Sequence, residues 1–179
     1  VTNKIMKSKL INITWLEYKG EIKKKSYDNF QYKITHCNSI GIKEYKEIYH
    51  NVGRNHGWFG RSNMSNQDLE KIIFNKKVEI YLMKEGGKNI GFFEIDYTND
   101  YIKDKELRIV HFGLIEGYIG KGLGVKLMDA AITRAYKLNI KKVILQTNSL
   151  DHKRALPFYK EYGFKVFAQE TKNLIYAVN

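Results

Sequence analysis

Residues 117–124 read Gly117-Tyr118-Ile119-Gly120-Lys121-Gly122-Leu123-Gly124, and they separate a strand-like segment from the longest helical pattern of the chain. Glycines let the backbone approach a ligand closely, and the unpaired N–H groups of a helix's first turn attract anions. Lys121 adds positive charge at the same point. The run predicts an anion-binding loop, and a turn needed only for packing is the alternative interpretation.

Two familiar phosphate-binding motifs do not fit the spacing of this run. A dinucleotide-binding fingerprint starting at Gly120 needs a third Gly, or Ala, where Val125 stands. A Walker A loop built on Gly120-Lys121 needs Gly in place of Ile115 and Ser or Thr in place of Gly122. The loop is therefore expected to hold its anion in another way.

Periodic patterns extend outward from the glycine run in both directions. The predicted strands cover residues 10–19, 30–36, 78–83, 90–97, 106–114, 143–147, and a closing hairpin of 166–168 with 174–178. The predicted helices are one capped by Ser39, one opened by Ser65 and Asp68, one over 123–138, and one capped by Asp151 that ends at Gly163. This order predicts a mixed α/β (α+β) layered fold in a single domain over residues 1–179, with an N-terminal strand and connector at 1–29.

Pro157 lies early in the last predicted helix. It has no N–H to donate, and its ring crowds the carbonyl of Lys153. We therefore expect the regular helix to begin near Arg154, or else to kink at the proline.

Composition excludes several classes of protein. The chain has 179 residues, 31 Lys and Arg against 19 Asp and Glu, and one Cys, so an internal disulfide is impossible and no Cys/His cluster has metal-ligand spacing. The apolar runs are too short for a membrane span or a secretory signal, which favours a cytoplasmic protein without a membrane partner. Only five of the 31 basic residues are Arg, and the Lys residues are scattered. The net charge of +12 therefore indicates a solvated surface more than a nucleic-acid partner.

Residues 110–164 resemble the acetyl-CoA-binding half of the GCN5-related N-acetyltransferase (GNAT) superfamily. Gly120-Lys121-Gly122-Leu123-Gly124 is similar to that family's Arg/Gln-x-x-Gly-x-Gly pyrophosphate loop. The run from Ala155 through Tyr159 to Gly163-Phe164 is similar to its Ala-x-x-x-Tyr-x-x-x-Gly-Phe helix end. The segment 113–155 also resembles a bacterial subgroup of the family, which does not identify an acceptor.

The resemblance implies a central, mostly antiparallel, splayed sheet with helices on both faces. It implies an acetyl-CoA-dependent N-acetyltransferase without a metal, acting on a primary amine by direct attack in a ternary complex, as a monomer or a homodimer. By the same resemblance, the Leu114 N–H would bond the thioester oxygen at the splay. The residues assigned to acetyl-CoA are Leu114, Ile115, Glu116, Ile119, Gly120, Lys121, Gly122, Leu123, Gly124, Val125, Asn148, Asp151, Ala155 and Phe158.

Three positions depart from the family pattern. Ile119 replaces the Arg or Gln of the loop, so only its backbone N–H is expected to serve the pyrophosphate. His152 stands where many relatives carry Asn. Arg108 lies where histone-type relatives place a glutamate base, which argues against the same base in this protein.

The catalytic acid and base differ in how strongly the sequence indicates them. Tyr159 matches the family's usual general acid, with a purely packing role as the alternative. Glu94 shares one face of its strand with Phe92 and Asp96, and a carboxylate in an apolar strand must be paired, solvated or functional. Glu94 is the predicted base, acting directly or through water, and a salt bridge to Arg108 is the alternative. His111 is expected on the face opposite Arg108, as a core histidine.

The acceptor site is predicted beside residues 54–61, a glycine-flanked loop with exposed aromatic and Arg side chains. Trp58, Arg61 and Arg108 are its predicted contacts, suited to an acceptor with an apolar or anionic part, and a lid packed on the core is the alternative. Two rival functions stay open. One is a protein acetyltransferase for Lys or N-termini, and the other is a CoA-binding sensor without turnover.

Overall fold

A computed structural model describes residues 5–27, 29, 31–98 and 105–178. Seven strands lie in this part of the chain: β1 Ile5–Tyr18, β2 Tyr32–His36, β3 Val78–Glu85, β4 Lys88–Asp96, β5 Glu106–Leu114, β6 Lys142–Asn148 and β7 Phe164–Val178. The α-helices within it are α1 Ile42–Gly53, α2 Gly60–Asn63, α3 Asn66–Ile73, α4 Leu123–Lys137 and α5 Ala155–Tyr162, and short 3₁₀ turns occupy Arg54–His56 and Glu116–Tyr118.

One sheet contains all seven strands in the order β2-β3-β4-β5-β6-β1-β7. Every neighbouring pair is antiparallel except β5 and β6, which are parallel. The mostly antiparallel sheet that the sequence predicted is confirmed. The first strand of the chain is inserted between β6 and β7, so the two ends of the described chain meet in one ribbon.

The sheet splays between its two parallel strands. Pairing of β5 with β6 ends at Ile109 opposite Leu145, although β5 continues along β4 to Leu114 and β6 continues along β1 to Asn148. The Ile115 N–H donates to the Ile90 carbonyl at 2.8 Å. Because successive N–H groups of a strand point to opposite edges, the Leu114 N–H faces the gap. The expected splay is thus present, and the Leu114 N–H lies on its edge.

Helices cover both faces of the sheet, and each face has its own apolar core. On one face the α4 residues Leu127 and Met128 pack with Phe93 and Ile95 of β4. On the other face α1 and α3 pack on Phe92 and its neighbours. Since alternate β4 residues enter different cores, this strand is buried on both sides.

The predicted C-terminal hairpin is wrong, because β7 is one continuous strand of 15 residues. It pairs with β1 along its whole length, from Tyr18 opposite Phe164 to Ile5 opposite Val178. The polar stretch 169–173 looked like a turn, but the long β1 offers it a full set of backbone partners. Hydrogen bonding to a neighbouring strand here overrides local propensity.

Helix starts were predicted with mixed success. Ser65 caps α3 as expected, its hydroxyl accepting the Asp68 N–H at 3.1 Å. The cap of α1 is Gly41 rather than Ser39. The last helix begins at Ala155 with Arg154 as its cap, so Pro157 lies in the first turn, where its missing N–H removes no helical bond. The expected late start is confirmed, and the assignment of Asp151 as the cap is wrong.

Candidate active site

A cavity of about 450 Å³ opens where β5 and β6 separate. Its walls come from five parts of the chain, namely Tyr49 and Val52 of α1, the loop at 56–60, residues 109–114 of β5, the glycine run with Val125, and residues between Leu145 and Glu161. This volume is typical of a small-molecule site. The splay therefore creates a pocket that joins the predicted cofactor loop to the predicted acceptor loop.

The glycine run leaves the start of α4 open toward this cavity. Gly120 and Gly122 have φ values of +85° and +75°, in the left-handed region that favours glycine. Gly122 is the residue that caps α4, and it supplies no side-chain hydrogen bond to the first turn. A Cβ at either glycine would meet no protein atom within 4 Å. The conformation and the open space suit a backbone cradle for an anion such as a pyrophosphate.

Most residues assigned to acetyl-CoA line the cavity, and four do not. Those in its wall are Leu114, Ile119, Gly120, Gly122, Gly124, Val125, Asn148, Asp151, Ala155 and Phe158. Ile115 and Glu116 lie outside it, because the Ile115 backbone is bonded within the fold and the Glu116 carboxylate accepts from Asn55 at 3.0 Å. The Leu123 side chain is buried in the core. The Lys121 ammonium lies 4.9 Å from the centre of the Tyr118 ring.

The backbone of Ile119 does not offer the donor that the sequence suggested. Its N–H donates to the Glu116 carbonyl at 3.1 Å and closes the 3₁₀ turn before the glycines. The side chain packs against the core around α4. The expectation that the Ile119 N–H is free for the pyrophosphate is therefore wrong, and Ile119 enters the cavity wall as an apolar residue.

Asp151 ties the two halves of the cavity together. Its carboxylate accepts hydrogen bonds from the Thr147 hydroxyl at 2.7 Å, the Asn148 N–H at 2.9 Å and the Trp58 indole N–H at 3.1 Å. The Trp58 ring fits there because Gly53 has no side chain, and a Cβ at Gly53 would lie 2.4 Å or less from the ring. The loop at residues 54–61, which the sequence predicted to contact the acceptor, is thus hydrogen-bonded to the β6–α5 segment.

Tyr159 projects from α5 into the splay. Its ring meets Phe112 of β5 at 6.0 Å between centroids, and Phe158 stacks on Phe112 at 5.9 Å. Burial, and to a smaller extent the charge of Asp151, raises the pKa of Tyr159 above its usual value. The hydroxyl therefore stays protonated at neutral pH. Among the described residues it has no hydrogen-bond partner, so it is available to a ligand in the cavity.

Glu94 lies beneath the cavity floor in a cluster of donors. Its side chain is 1% exposed, and it pairs with Arg61 at 2.7 Å, accepts from the Tyr45 hydroxyl at 2.5 Å, and lies 3.1 Å from Nδ1 of His111. Burial opposes ionisation of Glu94, but the His111 hydrogen bond and charge, the Arg61 charge and the Tyr45 hydrogen bond outweigh it and lower the pKa to about 2. Glu94 is an anion that does not itself line the cavity.

A β-bulge brings His111 to Glu94. Glu94 lies opposite His111 and Ile95 lies opposite Ile109, which leaves Val110 as an extra residue in β5. The extra residue turns His111 onto the face that carries Glu94 and Arg108. The prediction that His111 points away from Arg108 as a core histidine is therefore wrong. His111 lines the cavity with its side chain 16% exposed.

Arg61 and Arg108 occupy positions other than those predicted. Arg61 forms an ion pair with Glu94 and does not line the cavity. Arg108 lies opposite Asp96 and 4.8 Å from the centre of the Trp15 ring, so the alternative Glu94–Arg108 salt bridge is not formed. Trp58 alone of the three predicted acceptor contacts is in the wall.

Sequence reasoning missed several residues of the wall. Tyr49 was expected in the core stripe of α1, but it contacts the Trp58 ring at 5.4 Å and the His111 ring at 5.0 Å. His56, which was assigned no role, faces His152 in the wall with 5.6 Å between the ring centroids. Aromatic residues three or four positions apart do not reveal which side of a helix meets a cavity. The contacts of Tyr49 with His111 and of His56 with His152 join residues 62 and 96 positions apart, so no local pattern predicts them.

The described residues contain no group of three or more His, Cys, Asp and Glu side chains arranged to hold a metal ion. No helix in the described ranges combines the length and hydropathy of a membrane span.

Solved structures with similar folds come from several sources. A conserved protein of unknown function from Staphylococcus epidermidis ATCC 12228 has a TM-score of 0.65 at 19% identity, over 95% of this chain and 62% of its own. A protein from Novosphingobium aromaticivorans DSM 12444 assigned to the GNAT acetyltransferases has a TM-score of 0.67 at 11% identity, over 97% of this chain and 68% of its own. The aminoglycoside N-acetyltransferase AAC(6')-Iy in complex with CoA has a TM-score of 0.56 at 15% identity, over 83% of this chain and 94% of its own.

Because the sequences of these proteins are less than 25% identical to this chain, the similarity establishes the fold alone. The chain spans about three fifths of the length of the Staphylococcus protein. No curated protein matches the chain. The family model described as Acetyltransferase (GNAT) family matches residues 42–164, which is more than half of the sequence and includes the glycine run, Glu94, His111 and Tyr159. The chain therefore belongs to the GNAT family of acetyltransferases.

Proposed function

We propose that this protein transfers an acetyl group from acetyl-CoA to the primary amine of a small molecule, by direct attack in a ternary complex. The observation that carries the proposal is the splay between β5 and β6, where the glycine run, the edge of Leu114 and the Tyr159 hydroxyl meet at one cavity. Acyl transfer needs an anchored donor, a polarised carbonyl and an acid for the leaving thiolate in one place.

The residues present fit acetyl-CoA. Gly120, Gly122 and the open first turn of α4 would hold the pyrophosphate, and Gly124 would let the backbone pass close to it. Val125, Asn148, Ala155 and Phe158 would line the arm of the molecule as wall residues. When bound, acetyl-CoA supplies an activated thioester, and the protein's part is to orient it.

Leu114 and Tyr159 would act on the two ends of the bond that breaks. The Leu114 N–H faces the gap and would donate to the thioester oxygen as negative charge develops there. The Tyr159 hydroxyl would donate its proton to the departing thiolate. Because burial keeps this hydroxyl protonated, it is in the form that an acid requires.

The acceptor side of the cavity suits an amine with an apolar or aromatic body. Tyr49, Trp58 and Phe59 line it, and aromatic faces attract organic cations. The acidic residues in the wall are Asp151, whose carboxylate already accepts three hydrogen bonds, and Glu161, which is exposed on α5. A polycation such as an aminoglycoside would find little compensating charge here. Trp58 remains a proposed acceptor contact, whereas Arg61 and Arg108 do not.

The Trp58–Asp151 bond also bears on the protein-acetyltransferase alternative. An open groove beside the 54–61 loop would suit a peptide, but the loop is bonded to the β6–α5 segment. Gly57 also lies close to the Leu150 side chain, with 2.9 Å between that side chain and the place of a Cβ at Gly57. A closed wall at this point favours a small amine. We place the enzyme in the cytoplasm, as a monomer or a homodimer.

A screen of amines that measures free thiol release from acetyl-CoA tests the proposal. Its arms are aromatic and alkyl monoamines, polyamines with aminoglycosides, and peptides with a free N-terminus or Lys. We expect release with monoamines that carry an apolar body. Release confined to the peptide arm would establish the protein-acetyltransferase alternative. Tight CoA binding by calorimetry without release in any arm would establish the sensor without turnover.

A further inference from the structure

The side chain of His111 lies between a buried carboxylate and the cavity. Its Nδ1 is 3.1 Å from Oε2 of Glu94, and the same imidazole lines the cavity wall. Glu94 has 1% of its side chain exposed and is absent from that wall. Any proton that leaves the cavity toward this carboxylate must therefore pass the His111 ring.

The surroundings of Glu94 decide which ring nitrogen of His111 carries the proton. Arg61 donates to Oε1 and Tyr45 donates to Oε2. Burial opposes ionisation of Glu94, but the donors around it outweigh burial and leave an ionised carboxylate that only accepts. His111 must then donate its Nδ1–H to Glu94. The lone pair of the neutral ring is left on Nε2, for which the described residues provide no partner.

The ring is also held in place by aromatic neighbours. Tyr49 meets it edge-on with centroids 5.0 Å apart, Trp58 lies at 5.2 Å, and Phe92 stacks at 6.3 Å. Tyr49 and Trp58 line the same cavity, on the side proposed for the acceptor. An amine bound against these two rings would lie beside His111.

We propose that His111 is the general base of the transfer and that Glu94, held by Arg61 and Tyr45, is its positioning residue. This inference rests on the proposed function. His111 Nε2 takes one proton from the acceptor ammonium, and Glu94 stabilises the imidazolium that results. The freed nitrogen lone pair forms a bond to the thioester carbon, and the C–S bond breaks with its electron pair on sulfur.

The remaining protons balance within the same site. Sulfur takes the Tyr159 proton, and the new amide nitrogen loses its extra proton to restore the Tyr159 hydroxyl. The His111 imidazolium releases its proton to solvent. The sum is one ammonium and one thioester converted to one amide, one thiol and one proton.

The titratable and charged groups around His111 come from three elements. They are Glu94 on β4, Arg61 on α2, and Tyr45 and Tyr49 on α1. Glu94 has a pKa of about 2, and the pKa values of both tyrosines are raised, chiefly by burial. Neither the Glu94 carboxylate nor the two tyrosine hydroxyls is therefore expected to change charge between pH 5 and pH 9.

The experiment compares His111→Gln with wild type, using an amine found in the screen. We expect kcat to fall by at least about 10²-fold with CoA affinity unchanged. We also expect the increase of kcat/KM with pH to differ between the variant and wild type. His50→Gln, on the exposed side of α1, is the matched control and should leave both unchanged. Free imidazole should restore part of the turnover of His111→Ala. A His111→Gln protein with wild-type turnover and pH profile would overturn the proposal.

A second measurement uses the wild-type protein and does not depend on turnover. Nitrogen NMR of its imidazoles should find His111 with a protonated Nδ1 and an unprotonated Nε2. A proton on Nε2 in the neutral ring would contradict the assignment. If wild type releases no thiol with any amine, the proposed function fails, and the tautomer still reports on the pairing itself.

Discussion

Two buried glutamates on neighbouring strands have almost the same set of partners. Glu79 of β3 pairs with Arg134 at 2.6 Å and accepts from the hydroxyls of Tyr81 and Tyr97. Glu94 of β4 pairs with Arg61 at 2.7 Å and accepts from the hydroxyl of Tyr45. Both carboxylates have lowered pKa values, since donors outweigh burial in each. By composition and electrostatics, either is a candidate for function.

Glu79 and Glu94 differ in which face of the sheet they lie on and in what they contact there. Glu79 faces the α4 side of the sheet, where its ion pair joins a helix to a strand. Glu94 faces the other side and reaches the cavity through His111. A buried carboxylate is therefore weak evidence for catalysis by itself, and its connection to a cavity decides its use. The comparison provides a matched control for most experiments on the site.

The largest expected effect is on stability, from removing the charge of each glutamate. Glu94→Gln leaves Arg61, whose side chain is 12% exposed, buried beside a neutral partner, so we expect a loss of about 3–5 kcal/mol in the free energy of unfolding. Arg134 is 28% exposed and can be hydrated, so Glu79→Gln should lose less, about 1–3 kcal/mol. Urea unfolding measures both. Equal losses would mean that the two clusters are energetically equivalent.

The pH dependence of stability should also reflect Glu94. Its pKa is about 2 in the folded protein against an ordinary 4.5, so the unfolded chain binds the proton first and stability falls as pH is lowered. The contribution is complete above about pH 4.5, and about 3 kcal/mol of it is lost by pH 2. Urea unfolding at pH 5 and pH 2 should show this loss in wild type and not in Glu94→Gln. The same slope in both proteins would show that another group is responsible.

Two tyrosines extend the comparison to catalysis. Tyr159→Phe keeps the ring against Phe112 and removes the proposed acid, so turnover should fall by about 10²-fold while CoA affinity stays near wild type. Tyr81→Phe removes a donor to Glu79 and should change thermal stability, with turnover altered less than about twofold. Steady-state kinetics with calorimetry measures both. Normal turnover in a folded Tyr159→Phe protein would remove the acid role, and equal losses of binding and turnover would make the hydroxyl a CoA anchor.

The smallest expected effect concerns two left-handed glycines with open space around them. Gly122 lies at the proposed pyrophosphate cradle, and Gly86 lies at the tip of the β3–β4 hairpin. Asp and Asn tolerate this conformation about equally, so the difference between Gly122→Asp and Gly122→Asn isolates charge. We expect CoA to bind about tenfold more weakly to Gly122→Asp than to Gly122→Asn. Gly86→Asp should leave affinity unchanged, and an equal affinity of the two Gly122 variants would place the diphosphate elsewhere.

Local patterns were sufficient for much of the fold. Hydrophobic periodicity located most strands and the long α4, Ser65 was recognised as a cap, and Pro157 predicted the late start of α5. These features depend on residues close together in sequence. The closing hairpin was wrong because β1 pairs with β7 along its whole length, and Asp151 was wrong as a cap because its carboxylate accepts from Thr147, Asn148 and Trp58. Ser39 was wrong as a cap because α1 begins after Gly41.

The candidate site was predictable to a smaller degree. Most of the wall proposed for the cofactor followed from the glycine run and the Ala155–Phe164 pattern, since both are local motifs. The proposed base did not follow, because strict alternation along β5 placed His111 on the wrong face. The extra residue Val110 in the pairing with β4 reverses that alternation. A bulge depends on the partner strand, so the sequence of β5 alone does not reveal it.

The sequence by itself determined the family, the left-handed turn before α4 and the position of Tyr159, because glycine conformation and helical spacing are properties of short segments. Only the tertiary structure decided which buried carboxylate is connected to the cavity, which arginine neutralises it, and that His111 stands between Glu94 and the cavity. Those outcomes depend on the register of β4 against β5 and on where α1 and α2 pack. The physical reason is that burial and charge pairing act between segments far apart in the chain, and folding alone brings those segments together.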